Sequence, residues 1–431
     1  MSQLRFMTSG ESHGRGLQII VEGMPAGVPI LAEHIDRDLH RRQQGFGRGG
    51  RMRIEKDRAE IWSGIRHGLT IGSPIGLLIH NRDWENWVEA MSPEPWSDPH
   101  RTMAEAAQEN WRLSPITRPR PGHADLPGHL KYDHADMRNL LERASARETT
   151  SRTAAGAIAK ALLRALGIGV YGYVVRIGSV AIPESWPGWS EHPALLAQRA
   201  EQSQVRCPDP SLEDAMIEEI KEAGKQGDTL GGIFEVVATG VPAGLGAFSL
   251  WDRRLDAQLA MALMSINAIK GVEVGLGFQT GCVLGSEAHD SIYYDDQTRL
   301  LPGGIPSPLQ SPDDIGALRG PSGGYFRKTN RAGGLEAGIT NGEPVVLRAA
   351  MKPIATLKKA LESVDIQSKQ AYQAHHERSD ICAVPAAAVV GEAMVALTLA
   401  NAVLDKFGGD SLGEILRNYR GYVRQMAGES E

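Results

Sequence analysis

Short apolar runs bounded by glycine and proline recur along this chain and set its expected elements. Residues 17–24, 59–62 and 75–80 read as strands between such turns. Leu31, Ile35 and Leu39 recur at helical spacing after Pro29, which predicts a helix over 31–43. Residues 84–121 hold four tryptophans and six prolines and predict irregular structure. From 133 to 166 the pattern is helical with a break near Ser145, and 169–180 is strand-like. Residues 185–226 read as a charged helical excursion at the surface, with the helical part over 191–226. A strand over 233–239, a helix over 252–264 and a strand over 272–279 follow. Residues 300–324 predict a long Pro/Gly loop, and a strand at 344–350 and a helix at 386–407 complete the pattern. The most apolar run, 385–404, is about long enough to span a bilayer. It contains Glu392 and Asn401, so a buried core or interface helix is expected instead.

Strands outnumber any simple βαβ alternation. The expected fold class is therefore α+β: two antiparallel-type sheets packed with helices as a β-α-β sandwich, one domain over 1–431. A repeat sharpens this. Residues 10–27 read GESHGRGLQIIVEGMPAG and residues 227–244 read GDTLGGIFEVVATGVPAG, identical at six positions without a gap. A turn–strand–helix unit used twice, about 10–43 and 227–260, is the simplest reading. His13 has no counterpart, because Leu230 stands in its place. A titratable group in only one copy points to chemistry there.

Composition narrows the classes. Net charge is −6, which argues against general nucleic-acid affinity and makes any basic site local. Cys207, Cys282 and Cys382 lie 75 and 100 residues apart, a spacing that suits neither a disulfide framework nor a metal knuckle but fits a reducing cytosol. The first residues lack the apolar core of a signal peptide.

Against that acidic background, residues 41–53 carry five arginines and four glycines. Arginine grips carboxylate and phosphate bidentately, and glycines let backbone N–H groups approach an anion. The expected ligand is polyanionic; a solvated basic loop is the plainer alternative. No dinucleotide or phosphate-loop fingerprint is present. His123 sits in a Pro-Gly turn beside Arg118 and Arg120, cations that favour neutral imidazole. Residues 142–150 crowd polar groups at a helix start, where an anion is welcome. Asp380 precedes a helix and would also serve as its N-cap.

Taken together, G-E-S-H-G at 10–14, R-R-Q-x-G-F-G-R-G-G-R-M at 41–52, R-P-G-H-A-D at 120–125 and E-R-A-S-A-R-E-T-T at 142–150 resemble chorismate synthase. Asn267-Ala268, T-N-R-A-G-G-L-E at 329–336, T-N-G at 340–342, K-P-I-A-T at 352–356 and R-S-D-I-C-A-V-P-A-A at 378–387 extend the likeness in order. The resemblance implies an anti-1,4-elimination of phosphate from 5-enolpyruvylshikimate 3-phosphate, with reduced FMN required although the reaction is redox-neutral. It implies His13 as proton donor to the departing phosphate, His123 against the reduced flavin, and Asp380 aiding proton acceptance at flavin N5. Ser12, Arg42, Arg48, Arg51, Arg120 and Arg147 become substrate contacts. Arg42, Arg48, Arg143, Ala144, Ser145, Asn267, Ala268, Ala337, Lys352, Pro353, Ile354, Ala355, Thr356 and Arg378 become flavin contacts. It further implies a homotetramer, while charge, residue spacing and the polar groups in the apolar run point to the cytoplasm with no metal, nucleic acid or membrane. Reduced flavin would come from NADPH on the protein itself or from a separate reductase. The rival class is a flavin- and NADPH-binding oxidoreductase using the same arginines. One departure stands out: Ala337-Gly338 replaces the common Gly-Gly, which is harmless unless residue 337 needs positive φ.

Overall fold

The computed structural model describes residues 4–49, 56–96, 98, 100–299, 305–374 and 379–429. Arg51 and Arg378 lie outside the described residues. The first part of the chain forms β1 (Arg5–Ser9), β2 (Gly16–Glu22), α1 (Ala32–Gln43), β3 (Glu60–Ile61), β4 (Ile65–Arg66), β5 (Leu69–Thr70) and β6 (Ile75–His80). Helices α2 (Met103–Glu109), α3 (Asp125–Tyr132), α4 (Arg138–Ala144) and α5 (Thr149–Ala165) follow. Then come β7 (Gly169–Ile177), β8 (Val180–Ala181), α6 (Pro193–Gln202), α7 (Glu213–Lys225), β9 (Gly232–Thr239), α8 (Leu255–Met264) and β10 (Ile269–Val274). The rest is α9 (Gly285–Ala288), β11 (Ile292–Tyr294), β12 (Tyr325–Arg327), β13 (Leu335–Glu336), β14 (Ile339–Thr340), β15 (Val345–Met351), β16 (Glu362–Val364), β17 (Ala371–Gln373), α10 (Val384–Phe407) and α11 (Leu412–Met426).

This is a mixed helix-and-sheet protein with antiparallel sheets. The two larger sheets run β1-β2-β6-β3 and β7-β9-β15-β10, with β8 added outside β7, and the remaining strands pair as two-stranded hairpins and ribbons. Corresponding strands pair in the same register: Val21 faces Ile75 and Ile20 faces Gly76, while Ala238 faces Val345 and Val237 faces Val346. Alternation explains the first sheet. Leu17, Ile19, Val21, Ile75, Leu77 and Ile79 are buried, whereas Gln18, Ile20 and Glu22 face out.

Helices fill the inner face. α5 packs on β2, α1 and α10, and α10 packs on β7, β9 and α8. Close approach of α5 and α10 requires glycine at 156, where a Cβ would stand 2.2 Å from that of Ala393. Pro385 occupies the first turn of α10, where its missing N–H costs nothing. The expected strand over 272–279 ends at Val274, and residues 277–282 form a 3-10 turn. Nor are α6 and α7 merely solvated: they bury Leu196, Met216, Ile217 and Ile220, with α6 packed on β7 and α7 on β8.

Glu392, the charge inside α10, meets a buried cluster. Arg41 donates to both of its oxygens at 2.6 and 2.8 Å, and Lys160 pairs with it and with Asp38. Arg206 and Glu201 complete the group. Arg41, counted among the arginines of the anion loop, is thus a structural cation facing the core.

Candidate active site

The Gly10–Gly14 turn is held from two sides. Asn81, just after β6, donates from Nδ2 to the carbonyls of Glu11, Ser12 and Gly14 at 3.2, 3.2 and 2.6 Å. From α4, the carbonyl of Glu142 accepts from the Ser12 amide at 3.0 Å, and its Oε2 accepts from the His13 amide at 2.8 Å. Glu142 Oε1 lies 2.8 Å from His13 Nδ1. Trp87 stacks on the imidazole with centroids 4.0 Å apart, and its indole N–H donates to Asp83. Arg112 and Arg138 each lie 5.4 Å from the Trp87 ring.

Cations gather beside this turn. Arg147 is buried, bound to Asp57 and to Asn81 Oδ1. Arg42, also buried, donates to Thr149 Oγ1 and the Ala146 carbonyl, while Asp57 stands 3.8 Å from its Nη1. Burial, with Arg48 and Arg147 adding to it, pulls the Arg42 guanidinium down to about 9 against the pull of Asp57 and Asp380. At neutral pH it remains charged, and its buried Nη1 makes no hydrogen bond among the described residues. Arg48 pairs with Asp380 at 3.2 Å, and the Gly49 amide donates to the same carboxylate at 2.6 Å. Asp380 is therefore not an N-cap: α10 begins at Val384, and the carboxylate instead ties the arginine loop to the segment before that helix.

A second histidine is built differently from expectation. His123 Nδ1 lies 2.5 Å from Asp125 Oδ1, while Arg120 donates to Asp125 from its amide and its guanidinium. The sequence reading counted only the neighbouring cations and missed this carboxylate. Burial would raise the Asp125 carboxyl, but hydrogen bonds from His123 and Arg120 hold it well below the usual range.

These pieces form one chain of contacts. Ser12 meets Ser145 at 3.1 Å, and Asn267 donates to the Ala144 carbonyl at 3.0 Å. The Lys352 amide donates to Ala268 and its amine to Gly122. Burial and then Lys270 push that amine below the usual lysine value. Thr229 holds the carbonyl of Ile354, between Pro353 and Ala355. Arg120 donates to Thr356 Oγ1, whose carbonyl accepts from Ser379 beside Asp380. A cleft of about 900 Å³ is lined by Gly47, Arg48, Thr229, Thr356, Ser379 and Asp380, among others. Arg143 sits at the exposed rim, bound to the Thr8 carbonyl and hydroxyl. Ala337 is set apart at the tip of the β13–β14 hairpin, where Gly338 abuts Arg254.

Sequence reasoning missed Glu142, Asp57, Asn81, Trp87 and Asp125. For Glu142 and Asp125 the signal was present, a carboxylate inside a motif already singled out. The others lie in segments that show no pattern.

A cationic site with two carboxylate-held histidines is the equipment of an enzyme that acts on an anionic substrate. The comparisons specify it. The family model described as chorismate synthase matches residues 4–404, and the chain belongs to that family. It is 54% identical over 427 residues to the chorismate synthase of Symbiobacterium thermophilum, covering 98% of this chain and 100% of that one. Its identity to the chorismate synthase of Geobacter sulfurreducens is 53%, covering 98% and 99%. A solved structure described as the crystal structure of chorismate synthase matches with a TM-score of 0.73 at 39% identity, covering 99% of both chains. The activity is that of a lyase of the shikimate pathway.

Proposed function

We propose that this site expels phosphate from 5-enolpyruvylshikimate 3-phosphate by anti-1,4-elimination, with reduced FMN bound in the cleft. The observation that carries the reading is the set of cations, Arg42, Arg48, Arg120 and Arg147, joined to both histidines by one run of contacts. The substrate brings one phosphate and two carboxylates. A buried guanidinium whose Nη1 makes no hydrogen bond among the described residues, as in Arg42, welcomes such an anion.

The residues also suit a flavin phosphate. The cleft has the volume of a cofactor-sized pocket, and its walls offer Arg48 and Arg206. Arg143 to Ser145, Asn267, Ala268, Lys352 to Thr356 and Arg378 are the family positions that would complete the cradle, whereas Ala337 stands apart on its hairpin. Reduced flavin, when bound, supplies an electron-rich ring and a nitrogen able to take a proton. Ser12, Arg42, Arg48, Arg51, Arg120 and Arg147 hold and orient the substrate. His13 gives a proton to the departing phosphate oxygen, so the leaving group carries away the C–O electron pair as a stable anion. His123 and Asp380 hold protonation states around the flavin.

We also read the chain as an internally duplicated sandwich, supported by the matching strand order and register. A cytoplasmic homotetramer fits the family and the exposed Phe248, Trp251 and Phe278; light scattering that returned a monomer would refute it. The decisive assay is anaerobic. With dithionite-reduced FMN, the purified protein is expected to release chorismate and phosphate one to one, and oxidised FMN alone is expected to give neither. Product without reduced flavin, or none with it, overturns the reading. Replacing dithionite by NADPH decides whether the protein reduces its own flavin or depends on a reductase.

A further inference from the structure

We propose that Glu142 is the positioning residue of His13: its carboxylate fixes the imidazole tautomer, so that the proton given to the leaving phosphate passes through Nε2. This rests on the reading of His13 as proton donor.

Three observations carry it. Glu142 grips the turn at three points: the Ser12 amide by its carbonyl, the His13 amide by Oε2, and His13 Nδ1 by Oε1. Its side chain has no exposed surface, and among the described residues it forms no ion pair with lysine or arginine. A buried carboxylate in that setting demands N–H donors, so Nδ1 must carry its hydrogen. Trp87, stacked at 4.0 Å, fixes the ring plane, while Glu142 fixes rotation within it. A carboxylate on one imidazole nitrogen with proton transfer at the other is a recurrent catalytic geometry. In the step itself, the Nε2–H bond breaks as the phosphate oxygen gains that proton and the C–O bond electrons. The ring is left neutral, with hydrogen still on Nδ1, and recovers its proton from solvent.

Glu142→Gln tests this sharply. The His13 amide can only donate, so the glutamine oxygen must take the Oε2 place. Its NH₂ then falls at the Oε1 place and faces Nδ1. The neutral ring answers by moving its hydrogen to Nε2, and the doubly protonated ring is opposed by N–H against N–H. The expected result is a fall in kcat of about 10²-fold, with KM changed less than about 3-fold. In ¹⁵N-histidine solid-state NMR, Nδ1 of His13 should change from protonated to bare. His13→Ala with Glu142→Gln should be no slower than His13→Ala alone.

Wild-type turnover in Glu142→Gln, with His13→Ala slow, overturns this proposal and leaves the proton-donor reading standing. Wild-type turnover in both overturns that reading and this proposal with it. A slow Glu142→Gln with an unchanged tautomer, or with losses additive to those of His13→Ala, overturns the positioning role.

Discussion

Thr340 repeats, bond for bond, what Thr70 does in the other sheet. The Thr70 hydroxyl donates to the Pro25 carbonyl at 2.5 Å and accepts from the Val28 amide at 2.9 Å. The Thr340 hydroxyl donates to Pro242 at 2.6 Å and accepts from Leu245 at 2.8 Å. Each threonine thereby locks a Pro-Ala-Gly turn to a hairpin strand. Both are buried, so Thr70→Val and Thr340→Val each orphan an N–H and a carbonyl. Each should cost about 1–3 kcal/mol, and the two costs should be similar in urea unfolding at matched protein concentration.

Ala337 has φ of 49° and Gly338 of 82°, both left-handed, as a two-residue hairpin turn demands. The condition that would make alanine costly at 337 is therefore met. Ala337→Gly should stabilise the protein by about 0.5–1 kcal/mol, because left-handed strain outweighs the extra freedom glycine gives the unfolded chain. Chemical denaturation checks it; an unchanged midpoint would mean that the turn absorbs the alanine without strain.

Arg48→Ala removes a cation that lines the cleft and has Asp380 among its folded partners. Substrate affinity should weaken by about 1.5–3 kcal/mol, the scale of one charge-assisted contact. Wild-type affinity should also fall with added salt. Equilibrium binding at two ionic strengths measures both.

The two histidines should separate cleanly. His13→Ala is expected to lower kcat about 10²-fold while substrate still binds. His123→Ala should alter the absorption spectrum of bound reduced FMN as well as the rate. Leu230, at the position matching His13, should accept another apolar residue without specific catalytic loss.

Acid should loosen the buried charge cluster. Burial would raise the Glu201 carboxyl, yet Arg41 and Arg206 draw it from 4.5 down to about 2. A carboxylate depressed in this way adds stability above its unfolded value and loses it as pH falls toward its folded one. For Glu201 the window runs from about 4.5 to about 2, and the contribution lost is up to about 3 kcal/mol. Glu201→Gln should flatten the fall in stability across that window, read as unfolding midpoints at several pH values.

Much of this was legible in the sequence, and the failures have physical causes. β6 and α10 stand close to where alternation and apolar composition put them, because local pattern decides elements with a buried face. Arg41 and Arg42 look alike in sequence, but adjacent helical residues point about 100° apart. One meets Glu392 in the core and the other Thr149 beside the site. Glu142 acts on a residue 129 positions away, a relation no local pattern carries. α11 went unassigned although its start was signalled: the Ser411 side chain accepts from the Glu414 amide at the N-cap.

Glu392 has a consequence that begins before folding. α10 is long and apolar enough to cross a membrane. A segment of that kind emerging from the ribosome resembles a substrate for membrane insertion. An ionised side chain near the middle of such a helix raises the insertion free energy by about 2.5–3.5 kcal/mol. The carboxylate therefore biases the nascent segment toward water while its partners on α1 and α5 wait to collect it. Once Arg41 and Lys160 close on it, the same group becomes a fixed point between helices. One side chain thus lowers the affinity of an apolar segment for a membrane and, in the folded protein, rivets α10 to α1 and α5.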